Sequence, residues 1–161
     1  MVHTCTFVCE KQKKELYLLA NLKAMSVIEI GTTYTHEVCF SQEQVNAFAN
    51  VTGDHNPIHI DAEYAAKTPF GRTIVHGFLA GSVFSKVFGT LFPGEGTIYM
   101  SQEMRFMAPV FPDTEYRAVF EVEETIPEKH RAVVACRLER ISDGQICIDG
   151  KAKVLHREKI A

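Results

Sequence analysis

A chain of 161 residues and 18.1 kDa, 46% apolar and 23% charged, fits one globular domain and buries a core without disulfides or metals. Its 17 basic and 20 acidic residues leave a net charge of −3, which argues against a partner held by phosphate neutralisation, so no nucleic acid is expected. No apolar run approaches the roughly 20 residues that cross a bilayer, so no membrane association is expected.

Residues 1–24 differ from the rest: they are rich in lysine and leucine, lack glycine and proline, and end just before Met25-Ser26-Val27. Glu10 to Lys23 has the spacing of a short helix with Leu16, Leu19 and Ala20 on one face. Two readings compete: a peripheral helix, or an upstream extension that the native gene does not translate. The second is favoured because the domain pattern begins after Met25, which sets residues 1–24 apart from a single domain at 25–161. The lysines follow the apolar start instead of preceding it, the reverse of a secretory signal. The five cysteines form no CxxC pair, and reduced thiols in a cytoplasmic protein are expected.

From Thr33 to Phe40 apolar and polar residues alternate as in a strand. Ser41 and Gln44 have capping-box spacing ahead of Val45, Phe48 and Ala49, and Gly53 ends that helix where a left-handed residue is cheapest. Asp61 can cap a short helix through Tyr64 and Ala65 to about residue 67. Residues 77–88 are apolar on nearly every side, with Lys86 the sole charge, so this helix is expected inside the protein, with Phe78, Phe84, Phe88, Leu91 and Phe92 in the core. Ile98–Phe106, Thr114–Glu124, Arg131–Ile141 and Gln145–Leu155 read as strands, the last pair joined through Ser142-Asp143-Gly144, a hairpin turn by its Asp-Gly. The sum is an α+β fold, a curved antiparallel sheet around one central helix.

The chemistry-bearing stretch is Gly53-Asp54-His55-Asn56-Pro57-Ile58-His59, a carboxylate and an imidazole five residues apart in a loop after a helix. Pro57 fixes its own φ and extends Asn56, and the Asn56 amide can hold neighbouring backbone. Such a loop can aim Asp54 and His59 at one water, the arrangement for moving a proton at neutral pH. By itself Asp-x-Asn-Pro is usually only a turn. Here Ile74-Val75-His76-Gly77-Phe78 also places a glycine at the mouth of the apolar helix, where unpaired N–H groups and the helix dipole can polarise a carbonyl oxygen.

The run Gly53-Asp54-x-Asn56-Pro57-Ile58-His59, followed by Ala65, resembles the signature of the MaoC-like, (R)-specific enoyl-CoA hydratases, the type-2 hydratases. The likeness continues through Val75-His76-Gly77, Ser85, Gly96-Thr97-Ile98-Tyr99 and Phe106-x-x-Pro109-Val110, covering about residues 31–156. It implies a hotdog fold paired with a second copy, with Asp54 and His59 as the catalytic dyad and the Gly77 N–H as oxyanion donor. Asn56, Ser85 and His76 have supporting places, the last because it precedes the donor and can orient that turn. The implied reaction is reversible syn addition of water to a trans-2-enoyl-CoA, giving the (R)-3-hydroxyacyl-CoA. The substrate is thus an acyl-CoA thioester.

Other readings were weighed. His55 and His59 with Asp54 and Asp61 have a metal-like composition, but Pro57 prevents the two histidines from sharing a helical face, so no metal is expected. His36, His130 and His156 are assigned structural or exposed roles. Ser82 and Ser85 lie in no G-x-S-x-G elbow, and the absence of a P-loop or dinucleotide fingerprint leaves no cofactor beyond the substrate's own coenzyme A. Dehydration of a hydroxyacyl group on acyl carrier protein, or action on a branched or dicarboxylic acyl-CoA, is a second enzymatic reading, and a non-catalytic acyl-CoA-binding module a third. A homodimer or higher homo-oligomer is expected, since a second copy is the cheapest cover for an open sheet edge.

Overall fold

The computed structural model describes residues 27–160, so the expectations for residues 1–24 lie outside the described residues. Five strands form one sheet: β1 (Thr33–Cys39), β2 (Ile98–Phe106), β3 (Glu115–Ile126), β4 (Arg131–Arg140) and β5 (Ile146–Leu155), in the order β1-β3-β4-β5-β2 with every neighbouring pair antiparallel. Between β1 and β2 run four helices: α1 (Gln42–Thr52), α2 (Pro57–Ile60), α3 (Ala62–Ala66) and α4 (Gly77–Thr90).

The sheet forms because every second residue of its central strands is apolar and small or β-shaped. Tyr116, Ala118, Phe120 and Val122 of β3 and Ala132, Val134, Cys136 and Leu138 of β4 are all buried on one face, alternating with Arg117, Val119 and Glu121 in β3 and with Val133, Ala135 and Arg137 in β4. Register shifts between Val122 and Glu124 and between Tyr99 and Ser101 add the local twist that bends the sheet. Helix α4 lies in the bend. Its Ala80, Val83, Phe84, Val87 and Phe88 recur at helical spacing and are buried, and Phe84 and Phe88 both meet Phe120 edge-on, at 5.7 and 5.3 Å between ring centroids. Each such ring removed from water contributes about 1.5–3 kcal/mol.

The expectation that α4 is wrapped on all sides needs correcting. Phe78 is 72% exposed, and Ser82, Ser85 and Lys86 are exposed with it. One sheet covers one stripe of a helix, and Phe78 falls outside that stripe, standing edge-on to Phe106, also exposed, at 6.3 Å. Leu91 is half-buried, whereas Phe92 is in the core. The hairpin expected at Ser142-Asp143-Gly144 joins β4 and β5 and spans 141–145, closed by the Arg140 N–H on the Gln145 carbonyl. Asp143 drives it, accepting from the Gln145 N–H and from Arg140. Strand β3 runs two residues beyond Glu124, and a 3-10 turn at Pro127–Lys129 leads into β4.

The histidines assigned away from the site have structural partners. His156 is buried, its Nδ1 accepting the N–H groups of Glu158 and Lys159 while its Nε2 faces the Glu95 carbonyl. His130 holds the Ile160 carbonyl, and Lys86 donates to His36. Cys39, Cys136 and Cys147 are free thiols, and burial pushes the Cys136 thiol up to about 12. Among the described residues no helix is long and apolar enough to cross a membrane.

Candidate active site

The site begins with the way α1 stops. Ser41 and Gln44 form the expected capping box, and Gly53 closes the helix at φ 78°, its N–H on the Ala49 carbonyl. A side chain at that φ would be strained, so the chain turns sharply here and delivers Asp54 to the surface. The turn is stiffened at each step. Asp54 N–H donates to the Thr52 hydroxyl at 3.3 Å, and the Asp54 carboxylate accepts from the Asn56 N–H at 3.3 Å. Asn56 in turn caps α2 by accepting from the Ile58 N–H, with Pro57 in the first helical position.

His59 is the third residue of α2 and is half-buried. Its Nδ1 faces the Ile74 carbonyl at 2.8 Å, which fixes the proton on that nitrogen. Nε2 has no protein partner among the described residues. Burial pushes the His59 imidazole below its ordinary value; the Ile74 carbonyl opposes that shift, His76 adds to it and Asp54 opposes it. Gln42 ties this part of the chain together: its amide donates to the His59 carbonyl at 2.8 Å and accepts from the Thr73 hydroxyl at 2.7 Å. Gln42 was not legible as a site residue, because in sequence it is only the first residue of a surface helix. A polar side chain bridging segments 17 and 31 residues away carries no local signal.

The second arm of the site arrives from the start of α4. His76 is 2% exposed, and its Nε2 faces the backbone carbonyl of Asp54 at 3.0 Å. Its ring lies against His59, 3.8 Å between centroids, and against Phe48 of α1 at 5.0 Å. Asp54, His59 and His76 each bring a polar side-chain atom within 4.8 Å of the others. Gly77 follows directly, and among the described residues its N–H has no partner, as the first turn of a helix without a side-chain cap requires. A methyl group at Gly77 would come within 2.8 Å of the Phe106 ring, so the glycine leaves room for that side chain.

The residues singled out from sequence therefore divide. Asp54, Asn56, His59, His76 and Gly77 converge on one bend. Ser85 does not: it lies eight residues along α4 from Gly77, about 12 Å by helical rise, on the exposed face. His55 turns away, toward the Gly53 carbonyl and the Asn50 amide, and Asp61 is occupied in capping α3. The trio close enough to share a cation is Asp54, His59 and His76, a different set from the one composition suggested. Its two imidazoles meet face to face with 30° between planes, whereas rings sharing an ion point their edges at it. A concavity of about 420 Å³ lies elsewhere, on the outer face of the sheet among Glu103, Arg105, Glu123, Arg137 and Lys151. Its charges pair across strands, as in Lys151 with Glu123 and Arg105 with Asp149.

An antiparallel sheet curved over one apolar helix, with an acid–base bend at the helix mouth, defines a hotdog-fold protein. Residues 25–143 match the family model described as a MaoC like domain. The chain is 41% identical over 127 residues to a 3-hydroxybutyryl-CoA dehydratase of Methylorubrum extorquens, covering 79% of this chain and 80% of that protein. It is 37% identical over 127 residues to an (R)-specific enoyl-CoA hydratase of Aeromonas caviae, covering 79% and 94%. The solved structure of an (R)-hydratase from A. caviae superposes with a TM-score of 0.77 at 36% identity, covering 80% of this chain and 97% of that one. The chain belongs to the MaoC-like family.

Proposed function

We propose that this protein is a hydro-lyase that reversibly adds water across the double bond of a trans-2-enoyl-CoA to give the (R)-3-hydroxyacyl-CoA. The observation that carries this reading is the convergence of the Asp54 carboxylate and the His59 imidazole, next to the unpartnered N–H of Gly77. Relatives named hydratases and dehydratases at 36–41% identity support the same chemistry.

The thioester carbonyl accepts a hydrogen bond from the Gly77 N–H, which draws electrons out of the adjacent double bond. Water lies between the dyad. Asp54 takes one of its protons while its oxygen bonds to C3, and His59 holds the water through Nε2. Charge gathers on the thioester oxygen at the positive end of α4, where such donors are worth most. C2 then receives a proton from the dyad on the face that took the hydroxyl, which makes the addition syn and returns the carboxylate and neutral imidazole to their starting state. The two groups are coupled, so acid and base roles belong to the pair. The assay is loss of the enoyl absorbance of crotonyl-CoA with chiral analysis of the product. Formation of the (R)-isomer is expected. Binding without turnover would mean a non-catalytic acyl-CoA module, and turnover confined to acyl carrier protein thioesters a dehydratase of the other carrier.

A homodimer completes the reading. Strand β2 is a sheet edge, and on it Ile98 and Phe106 are 57% and 53% exposed, beside Phe78 at 72%. An apolar edge of this kind is costly in water and is covered most simply by a second copy. Light scattering is expected to give twice the chain mass or more, and a stable monomer contradicts the pairing. We place the protein in the cytoplasm, where its unpaired thiols are stable.

A further inference from the structure

His76 poses a problem that capping does not solve. Its side chain makes no cap hydrogen bond to α4, and its Nδ1 is buried with no partner among the described residues. An orphaned buried polar atom is costly, so it persists for a reason. The contacts of the ring suggest one. A carbonyl oxygen only accepts, so the Asp54 carbonyl at 3.0 Å puts the His76 proton on Nε2 and leaves Nδ1 a bare lone pair. By the same logic the Ile74 carbonyl puts the His59 proton on Nδ1 and leaves Nε2 bare. Backbone carbonyls thus set both tautomers.

The two rings then lie face to face at 3.8 Å. At that separation a positive charge on His59 is disfavoured by burial first and by the neighbouring ring in addition. The groups facing the pair are few. The Asp54 carboxylate faces it from the bend, the Phe48 ring packs on His76 from α1, and the charges that bear on His59 are those of Asp54 and His76. His76 also covers one face of His59 from water.

We propose that His76 is a positioning residue for the hydration: it holds His59 as a neutral Nδ1–H imidazole whose Nε2 is free for the substrate water, and it anchors the backbone that carries Asp54. This rests on the assignment of Asp54 and His59 made above. It adds that the third imidazole, which need not touch substrate, decides the state in which the second one works.

His76→Gln separates this from plain packing, because the glutamine amide can still reach the Asp54 carbonyl while the stacked ring is gone. The expected result is a kcat lower by roughly tenfold with KM within about twofold. The acid-side midpoint of kcat/KM is expected to move up by about half a pH unit or more as His59 regains water and loses its neighbour. A merely structural His76 lowers the melting temperature and the rate at all pH values and leaves the midpoint in place, and that result overturns the proposal. If the variant does not fold, two-bond nitrogen–proton NMR correlations of the unaltered protein decide. His59 protonated on Nδ1 and His76 on Nε2 at neutral pH is expected, and any other pair of tautomers overturns it. Retention of full activity in His59→Gln would instead remove the underlying assignment, an outcome that the tautomer measurement does not share.

Discussion

The sheet-facing stripe of α4 and the bend at its mouth lie in one protein but are held by different physics. The stripe is apolar and redundant: Phe84, Phe88 and Phe120 form a three-ring cluster, each backed by other buried aliphatic residues. The bend is polar, and each of its links is made once: Asn56 to Ile58, His59 to Ile74, His76 to Asp54, Gln42 to His59. Burial is non-directional and sums over area, so the stripe tolerates rearrangement and sets stability. Hydrogen bonds are directional and modest in net energy, so the bend adds little stability and a great deal of orientation. The difference teaches which mutations should unfold this protein and which should silence it.

The sharpest way to break the contrast is to cut each region in turn. Phe120→Ala in β3 is expected to cost about 3–5 kcal/mol of stability, the range for an emptied aromatic site. Chemical denaturation measures that loss, and the fraction that stays folded should keep near-normal turnover per molecule. Asp54→Asn or His59→Gln should do the opposite, lowering kcat by at least about 10²-fold, equivalent to about 2.7 kcal/mol of barrier. Melting temperatures of those two variants should stay close to the parent. A large drop in melting with little change in rate would reverse the roles assigned to stripe and bend.

Gly77→Ala falls between the two, because a methyl group there meets the Phe106 ring at 2.8 Å. Either the half-exposed Phe106 ring or the helix mouth must shift, and a loss of roughly tenfold in kcat is expected where the mouth gives way. Adding Phe106→Leu should restore part of it, measured by the same crotonyl-CoA assay. The smallest effect concerns pH. Burial holds the His59 imidazole below its ordinary value of 6.5, so on acidification the unfolded chain binds that proton first. The stability contributed by neutral His59 is present above about pH 6.5 and is lost as pH falls through the folded-state value. His36 shifts in the same direction, through burial and then Lys86. Melting temperature should therefore fall between pH 7 and 5, and more gently in His59→Gln. An unchanged slope in that variant would show that His59 is not held in this way.

Much of this contrast was legible in the residues themselves. The capping box at Ser41 and Gln44, the stop at Gly53 and the strand alternation through β3 and β4 are local patterns with local causes, and each formed where expected. The convergence of Asp54 and His59 could be expected because Pro57 and Asn56 stiffen the four-residue stretch between them. What local pattern does not carry is contact at a distance. His76 stands 22 residues from the carbonyl that it holds, and Gln42 bridges α2 and the loop before α4. Phe78 was misplaced for a related reason. An apolar helix reads as buried all round, but how much of it is covered depends on how far one sheet can reach. Ser85 reached the candidate list by family likeness, and no contact among the described residues ties it to the bend.

The central claim is that Asp54 and His59 act as one unit on a single water, and a double-mutant cycle in kcat tests it most directly. If the two groups share the proton, Asp54→Asn combined with His59→Gln should be nearly as active as the worse single variant, since the first change already disables the pair. Losses that multiply, or near-parental turnover in either single variant, would contradict the account.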